Sequence, residues 1–336
     1  MQKRWNQKRI NRIRNNLLRV SVWLVLLIFA GCEDFFTSEA TNVDIPGSEP
    51  QLVVYSFLSP GEKLTRVHVY RSIPYTMSMD DVEPVNDKAS VYLAPTGEAF
   101  YQLEYNDLHN CFVAESDEFE VQYGQSYSLK VESYQGESVT ANSLVPHTRE
   151  MEVETEPLTL QLVEDDIWDE GHSVKHIQVD WKITLPANTG DGFMRTGAYM
   201  KRYIFHEGDS VAADVQVSQF GLERGQPYFA ATENRTYAFR ANKWRESYGF
   251  SGEHQGYDPP QEEGEVVDSV FVYVFQTDEH YYRFHKSLDE YFYYDDDFPF
   301  TEAVFIYSNI KGGLGVFAGY NRKEFYIPYP DIENQQ

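Results

Sequence analysis

The chain has little cysteine, with two residues of this type among 336. Cys32 belongs to an export signal described below, which leaves Cys111 as a lone thiol that cannot form an internal disulfide. The fold must therefore depend on its apolar core. Cys111 lies in a strand-like stretch with acidic residues nearby, and these do not favour a reactive thiolate, so we predict a buried structural cysteine.

Basic residues are also scarce: 28 Lys and Arg stand against 53 Asp and Glu, a net charge of −25. Residues 1–31 contain seven of the basic residues and no acidic one, so the remainder has 21 against 53, which is −32. A polyanion of that size is a poor partner for nucleic acid or for an anionic membrane surface. We interpret the acidic residues as a solvated surface, with cationic ligands or divalent cations as the alternative.

A long hydrophobic run is missing at the N-terminus, where residues 22–29 are apolar and Ala30, Gly31 and Cys32 follow. A membrane-spanning helix needs about 20 apolar residues, whereas the core of a signal peptide has about 7–15. We predict a lipoprotein signal peptide that is cleaved after residue 31, with lipid attached to Cys32. Phe29 departs from the leucine that such signals usually have at this position. The alternative is an uncleaved anchor with a plain thiol at Cys32.

Recognisable catalytic signatures are missing as well. The sequence has no Gly-x-Ser-x-Gly elbow and no His-Glu-x-x-His motif. Neither His172 with His176 nor His280 with His285 has a spacing that converges on zinc in its predicted element. The sequence therefore predicts no catalytic residue, no metal ligand and no cofactor other than the covalent lipid, and it leaves the ligand-binding residues unknown.

Two acidic runs and one glycine-rich run have a structural and a functional interpretation. The acidic runs at residues 164–166 and 295–297 lack the alternating ligands and the glycine of an EF-hand, so we interpret them as solvated loops, with calcium as the alternative. Residues 312–319 are rich in glycine but lack the Lys-Ser/Thr end of a phosphate-binding loop. Glycines inside a strand usually mark a bulge or a close backbone approach, and we predict the same for this run.

Beyond residue 49 the chain alternates short apolar runs with turn residues, a pattern typical of a mainly β protein. About seven strands fit between residues 51 and 145, the size of an immunoglobulin-like domain. Later alternating runs indicate a second β-rich body, in which residues 208–264 are interpreted as long loops with short strands. We predict a signal peptide at 1–31, a lipidated tether at 32–48, an immunoglobulin-like β-sandwich at 49–146 and a second β-sandwich-like domain at 147–336.

One amphipathic helix is predicted near residues 278–294, with Thr277 or Asp278 as its cap. Its apolar positions recur at i, i+3, i+4, i+7 and i+11 and form a stripe for docking on a sheet; they are Tyr281, Phe284, His285, Leu288 and Phe292. Three closing strands are predicted after the helix, at residues 303–307, 314–319 and 324–329.

The C-terminal part contains the segment Ile-Tyr-Ser-Asn-Ile-Lys-Gly-Gly-Leu-Gly-Val-Phe-Ala-Gly-Tyr at residues 306–320. This segment resembles the closing motif of an uncharacterised lipoprotein family that is abundant in Bacteroidota and often accompanies TonB-dependent outer-membrane receptors. Leu-Val-Val-Tyr-Ser-Phe-Leu at 52–58 and Val-Tyr-Arg-Ser-Ile-Pro-Tyr at 69–75 resemble the N-terminal strands of that family. The resemblance spans nearly the whole mature chain and is most specific at residues 309–317.

That resemblance implies an all-β, two-domain outer-membrane lipoprotein with no established activity, so it supplies no catalytic residue. Glu33 and Asp34, directly after the lipid-bearing cysteine, resemble the acidic surface-export signal of such lipoproteins. We therefore expect an outer-membrane lipoprotein, with display at the cell surface favoured over the periplasm.

Three functions fit these observations. The first is a non-enzymatic accessory lipoprotein that binds a ligand or a TonB-dependent receptor, for which 25 Tyr, 22 Phe and 5 Trp offer recognition surfaces as well as cross-strand pairs. The second is a surface hydrolase of polysaccharide or peptide with an unrecognised carboxylate pair. The third is a structural or adhesive surface module. A receptor gene next to this one would favour the first function, and an adhesin cluster the third.

Lipid attachment at Cys32 is testable by metabolic labelling with a fatty-acid analogue. The thiol is the acylation point, so the Cys32→Ala variant should incorporate no label, whereas Cys111→Ala should be labelled like the wild type. Equal labelling of the wild type and the Cys32→Ala variant would contradict the prediction.

Overall fold

The computed structural model describes residues 49–74, 77–83, 85–164, 173–205, 214–247, 265–294 and 305–329. The predicted signal peptide and Cys32 lie outside these residues. So do His172 and both acidic runs, apart from the backbone of Glu164. The chain from Pro50 to Gln336 forms one compact unit. It is mainly β with open sheets and one α-helix among the described residues, which confirms the predicted β-sandwich-like class.

The first part of the chain forms the predicted seven strands in its described residues. They are β1 (Leu52–Leu58), β2 (Leu64–Arg71), β3 (Ala89–Pro95), β4 (Tyr101–Asn106), β5 (Cys111–Glu115), β6 (Ser126–Ser133) and β7 (Ser138–Leu144). Buried and exposed positions alternate along β7, for example, with Val139 and Ala141 inside. This period of two is what a strand with one face on a core requires.

The second part contains ten further strands among its described residues. They are β8 (Glu152–Thr155), β9 (Thr159–Glu164), β10 (Ser173–Leu185), β11 (Gly192–Phe205), β12 (Asp214–Gln219), β13 (Gly221–Arg224), β14 (Tyr228–Ala231), β15 (Arg235–Ser247), β16 (Glu265–Thr277) and β17 (Leu314–Ile327). The interpretation of residues 208–264 as loops with short strands is wrong at β15, which pairs with β10 along 13 residues. Its buried residues Phe239 and Ala241 alternate with polar residues such as Arg240, so the segment as a whole is polar and does not stand out as a strand.

The strands form two sheets. The larger one has the order β12-β11-β16-β17-β1-β2-β5-β4-β3-β6-β7, with β14 also paired to β11. The smaller one has the order β13-β15-β10-β8, with β9 also paired to β10. An antiparallel bridge between Thr140 of β7 and Lys311, just before β17, brings the far end of the larger sheet back to β17.

Strand β17 joins the two parts of the chain. Its residues 314–319 run parallel to β1, and its residues 320–327 run antiparallel to β16. The prediction of separate strands at 314–319 and 324–329 is therefore wrong, because one 14-residue strand spans both partners. The predicted strand at 303–307 is also wrong for residues 305–307, which have no regular structure, and Phe305 is 87% exposed.

The glycine-rich run allows β17 to approach β1, as the interpretation of a close backbone approach requires. Gly315 has a φ of +109°, and a Cβ atom there would lie 2.0 Å from the carbonyl oxygen of Val54. Asn309 closes the turn before the strand: its side-chain amide donates to the carbonyl of Phe317 at 2.8 Å, and its oxygen accepts the N–H of Phe317 at 2.9 Å. The segment most specific to the family resemblance thus sets the position of β17.

Helix α1 (Glu279–Tyr294) confirms the predicted helix. The Oδ1 atom of Asp278 accepts the backbone N–H of Tyr281 at 2.7 Å, which is an N-cap bond. Tyr281 and Phe284 are buried and pack against Tyr55 and Phe57 of β1 and Val316 of β17. The predicted docking residue Phe292 is instead 65% exposed, because it lies in the last turn, beyond the contact with the sheet.

Three hydrophobic cores fill the described residues. The first lies among β1–β7 around Leu93, Tyr127 and Leu129, and it includes Phe317 of β17. The second surrounds Trp181, and it includes Ile327 of the same strand. The third lies under helix α1. The predicted domain boundary at residues 146 and 147 stays a prediction.

None of the helices in the described part of the chain has the length and apolar character needed to cross a bilayer.

Replacement of Gly315 tests whether β17 and β1 need this close approach. Gly315→Ala should reduce the free energy of unfolding by more than Gly61→Ala, which serves as the control. Both glycines have a positive φ, which costs an alanine about 1–2 kcal/mol, but a Cβ at Gly61 meets no atom within 4 Å. The measurement is chemical denaturation of both variants and the wild type. Equal losses for the two variants would show that only the backbone conformation matters at Gly315.

Candidate functional site

The residues singled out from the sequence do not assemble into a reactive centre within the described structure. Cys111 is 1% exposed, and burial raises the pKa of its thiol, which fits the predicted structural cysteine. On helix α1, a ring nitrogen of His280 lies 2.7 Å from the hydroxyl of Tyr307. His285 instead stacks on Phe57 and Tyr228. Among the described residues, no three His, Cys, Asp or Glu side chains lie close enough to hold a metal ion.

A set of functional side chains lies instead on one face of the larger sheet. Along β11, Met194, Ala198 and Met200 point into the second core. Because side chains alternate along a strand, the residues between them point to the opposite face. These are Arg195, Gly197, Tyr199 and Lys201, so one strand places two cations and a phenol on the same surface.

The register of the neighbouring strands completes this surface. On β16, Phe275, Tyr273 and Phe271 lie opposite Arg195, Gly197 and Tyr199. On β17, Arg322 lies opposite Phe275, and Glu324 lies opposite Tyr273. On the other side, Gln219 and Val217 of β12 lie opposite Tyr199 and Lys201. Residues directly opposite in antiparallel strands share a face, so all these side chains meet.

A cavity of about 340 Å³ opens on this face, here called the cationic pocket. It is lined by Arg195, Tyr199, Lys201, Val217, Gln219, Tyr273, Phe275 and Arg322. Three of these eight residues are positively charged, in a chain with a net charge of −25. The local charge is therefore opposite in sign to that of the molecule as a whole.

Aromatic rings form the floor of the cationic pocket. Tyr199 stacks on Phe271 with 5.2 Å between ring centroids, and Tyr273 lies 5.0 Å from Phe275. Tyr199 and Tyr273 are buried. The ring of Tyr273 lies across Gly197, where a Cβ atom would be 2.5 Å from the phenol oxygen. A glycine at position 197 is thus needed for the floor to be flat.

The cations lie against these rings. The ammonium of Lys201 is 5.2 Å from the ring centre of Phe271, and the guanidinium of Arg322 is 5.7 Å from that of Phe275. The guanidinium of Arg195 lies 5.6–5.7 Å from the rings of Phe275 and Tyr273. Such cation–π contacts hold positive charge where water is partly excluded.

Glu324 is an acidic side chain in contact with these groups. It forms an ion pair with Arg322 and accepts a hydrogen bond from the hydroxyl of Tyr199. Burial, together with this hydrogen bond, raises the pKa of Tyr199 to about 12, so the phenol is neutral and is not available as a base. Arg195 and Lys201 form no ion pair with any carboxylate in the part of the chain that the structure describes.

Arg195 links the cationic pocket to helix α1. Its Nη1 atom donates to the hydroxyl of Tyr281 at 2.7 Å, and its guanidinium lies 5.2 Å from the ring of Tyr228 on β14. Its Nε atom is buried without a hydrogen-bond partner among the described residues. His285 stacks on Tyr228 nearby, and burial, followed by the charge of Arg195, lowers its pKa to about 3. A protonated His285 is therefore strongly disfavoured beside this buried cation.

A second and larger cleft, of about 1110 Å³, is lined by residues that include Ser143, His147, Asp191, Asp278 and His280. Burial raises the pKa of Asp278, while its hydrogen bonds from Tyr281 and Ser143 act in the opposite direction. Both carboxylate oxygens are in use, since Oδ1 accepts the N–H of Tyr281 and Oδ2 accepts the hydroxyl of Ser143 at 2.9 Å. The geometry at Asp278 is that of a helix cap that joins α1 to β7.

The cationic pocket is the better candidate for recognition. It combines a concave shape, an apolar floor and a few fixed polar groups, which are the features of small-molecule sites. The sequence contained its signal, because residues 194–201 alternate Met, Thr, Ala and Met with Arg, Gly, Tyr and Lys. Such a strand has an inner apolar face and a cationic aromatic face.

A family model described as a domain of unknown function (DUF4249) matches residues 38–325 of this chain. No curated protein matches the chain.

The buried position of His285 predicts a measurable effect of pH on stability. Its folded pKa is below the usual value of 6.5, so the neutral ring stabilises the fold above pH 6.5, and this contribution is lost as the pH falls toward 3. The His285→Phe variant lacks this loss. From pH 6.5 to pH 5 it should therefore gain stability relative to the wild type, on the order of 2 kcal/mol.

Denaturation midpoints of the wild type and the His285→Phe variant, measured at both pH values, check this. His109→Phe, at an exposed turn, is the control. A constant difference between wild type and His285→Phe at the two pH values would contradict the buried neutral ring.

Proposed function

The chain belongs to the DUF4249 family, whose function is unknown, and from that premise we propose that it is a non-enzymatic binding lipoprotein of the outer membrane that works with a TonB-dependent receptor. In this proposal the cationic pocket binds the ligand, and the lipid on Cys32 anchors the protein in the membrane. Surface display is favoured over the periplasm because Glu33 and Asp34 follow the cysteine directly.

The observation that carries the proposal is the composition of the cationic pocket. Its cations are fixed over aromatic rings on a rigid four-strand surface, which suits recognition. Acid–base or nucleophilic chemistry needs a group that can exchange a proton or attack near neutral pH. The pocket offers arginine, lysine and phenols, and the phenol of Tyr199 is held by Glu324 with its pKa raised to about 12.

The predicted anchor supports an association with a membrane receptor. Nineteen residues, 33–51, separate Cys32 from the first residue of β1, Leu52. Since an extended chain spans at most about 3.6 Å per residue, the folded body stays within about 70 Å of the membrane. A receptor in the same membrane is then met at high effective concentration, so that a weak contact suffices for association.

A surface hydrolase is the second candidate, because the larger cleft contains a buried carboxyl group whose pKa is raised. Raised pKa values of carboxyl groups in clefts are a feature of general acids. The candidate ranks lower because both oxygens of Asp278 already cap helix α1 and hold Ser143. Asp278→Asn separates the two roles, since asparagine also caps helices but does not donate an acidic proton.

The test is purification of the lipoprotein under mild detergent conditions, followed by mass spectrometry of the proteins that accompany it. We expect recovery of a TonB-dependent receptor with the wild type, and reduced recovery with Cys32→Ala, which lacks the anchor. Recovery of the lipoprotein alone in several mild detergents would contradict the proposal. Turnover of a surface glycan or peptide by the pure protein, lost in Asp278→Asn, would support the hydrolase instead.

A further inference from the structure

The positive charges of the cationic pocket outnumber the carboxylates near them in the described structure. Glu324 forms an ion pair with Arg322 and also interacts electrostatically with Lys201, but neither Lys201 nor Arg195 forms an ion pair with a described residue. Asp289 on helix α1 is close enough for Arg195 to oppose the rise of its pKa on burial, but the two form no ion pair. Partly buried charges usually have partners, because desolvation of an unpaired charge is costly. A bound anion would supply negative charge that the described residues around the pocket do not.

Lys201 and Arg195 differ from other cations of the same sheets, which form ion pairs with carboxylates. The chain has 53 acidic residues, nearly twice the number of basic ones, and ion pairs with acidic residues are formed by other cations of the same sheets. Arg71 pairs with Glu137, Arg240 with Asp180, and Lys130 with Glu132. The cationic pocket thus keeps a net positive charge that an anionic ligand can neutralise.

The shape of the pocket limits the size of such a ligand. A volume of about 340 Å³ is at the lower end of the range for small-molecule sites, roughly 300–1,000 Å³. Val217 is 57% exposed at the mouth, and Tyr199 and Tyr273 are buried at the floor. The apolar parts favour a ring or another compact apolar body behind the charged group. An extended polymer would have most of its length outside the pocket.

The chemistry of the donors indicates which anion is suited. The guanidinium of Arg322 is a planar fork with five N–H donors, and Nη2 contacts Glu324, which leaves other N–H groups that can donate to a carboxylate or phosphate. Lys201 adds a point charge in the same pocket. We infer that the cationic pocket binds a small organic oxyanion, a carboxylate or phosphate on a compact ring body, with Lys201 and Arg322 as its main charged contacts. This inference rests on the binding function proposed above and names the class of ligand.

Arg195 has a different role from the other two cations. It is the most enclosed of the three, it is bonded to Tyr281, and it fixes the inner wall of the pocket against helix α1. Its replacement would also disturb the docking of the helix. Lys201 and Arg322 are therefore the residues to vary, because each lies nearer the mouth and can be changed without loss of a helix contact.

The experiment is calorimetric titration of the full mature protein, purified with its anchor in mild detergent. The probes are benzoate and phenyl phosphate, with benzyl alcohol as the neutral ring of similar size and inorganic phosphate as the anion without a ring. We expect binding of benzoate or phenyl phosphate, weaker binding of inorganic phosphate, and none of benzyl alcohol. Binding should also weaken as sodium chloride is raised, since salt screens the charges.

Variants locate the site. Lys201→Met and Arg322→Gln should each weaken the binding of the anionic ring by about tenfold or more, as expected for loss of a charge-assisted contact. Lys130→Met is the matched control, because Lys130 also lies over a tyrosine ring, that of Tyr92, but outside the pocket. Its affinity should equal that of the wild type.

Three results would overturn the inference: no binding of either anionic ring, equal binding of benzyl alcohol, or affinities unchanged in Lys201→Met and Arg322→Gln. Any of these, combined with continued recovery of a receptor from membranes, would leave the proposed function standing and remove only the ligand class. Failure of receptor recovery together with specific binding of the anionic ring would contradict the receptor partnership and support the ligand class.

Discussion

Strand β17 hydrogen-bonds to β1 through its first half and to β16 through its second half. The parallel half is tight, because a Cβ atom at Gly315 would lie 2.0 Å from the carbonyl oxygen of Val54, and the side chain of Asn309 holds the start of the strand through Phe317. Strand β17 therefore joins the strands β12, β11 and β16 to the strands β1–β7 in one sheet. The same strand contributes to two cores, since Phe317 belongs to the first core and Ile327 to the second.

The candidate site depends on the same strand. Its second half contributes Arg322 and Glu324 beside the cationic pocket, and Val316 in its first half packs against helix α1. The helix in turn holds Arg195 through the hydroxyl of Tyr281. Displacement of β17 would thus move a wall of the pocket and loosen the helix together. A binding surface of strands rather than loops is well suited to hold several cations in fixed positions.

Local patterns in the sequence predict much of this fold but not its long-range pairing. The seven strands of the first part and helix α1 follow from alternation and from a capping aspartate, which are local signals. Alternation alone is insufficient elsewhere. Strand β15 is polar on one face, and β17 changes partners midway, so that the local pattern predicts two strands in place of one. The closure of β17 on β1 joins residues more than 250 positions apart, for which no local signal exists. The pocket cannot be predicted from local patterns, because its cations are far apart in the sequence and meet only through the register of β11, β12, β16 and β17.

This acidic protein has three cations around one pocket, which we propose holds an anion. A crystal structure of the protein grown with phenyl phosphate tests this proposal most directly. We expect the oxyanion between Lys201 and Arg322, with the ring over Tyr273 on the floor of the cationic pocket. Density for the ligand in the larger cleft beside Asp278, or an empty cationic pocket at a saturating concentration of the ligand, would contradict it.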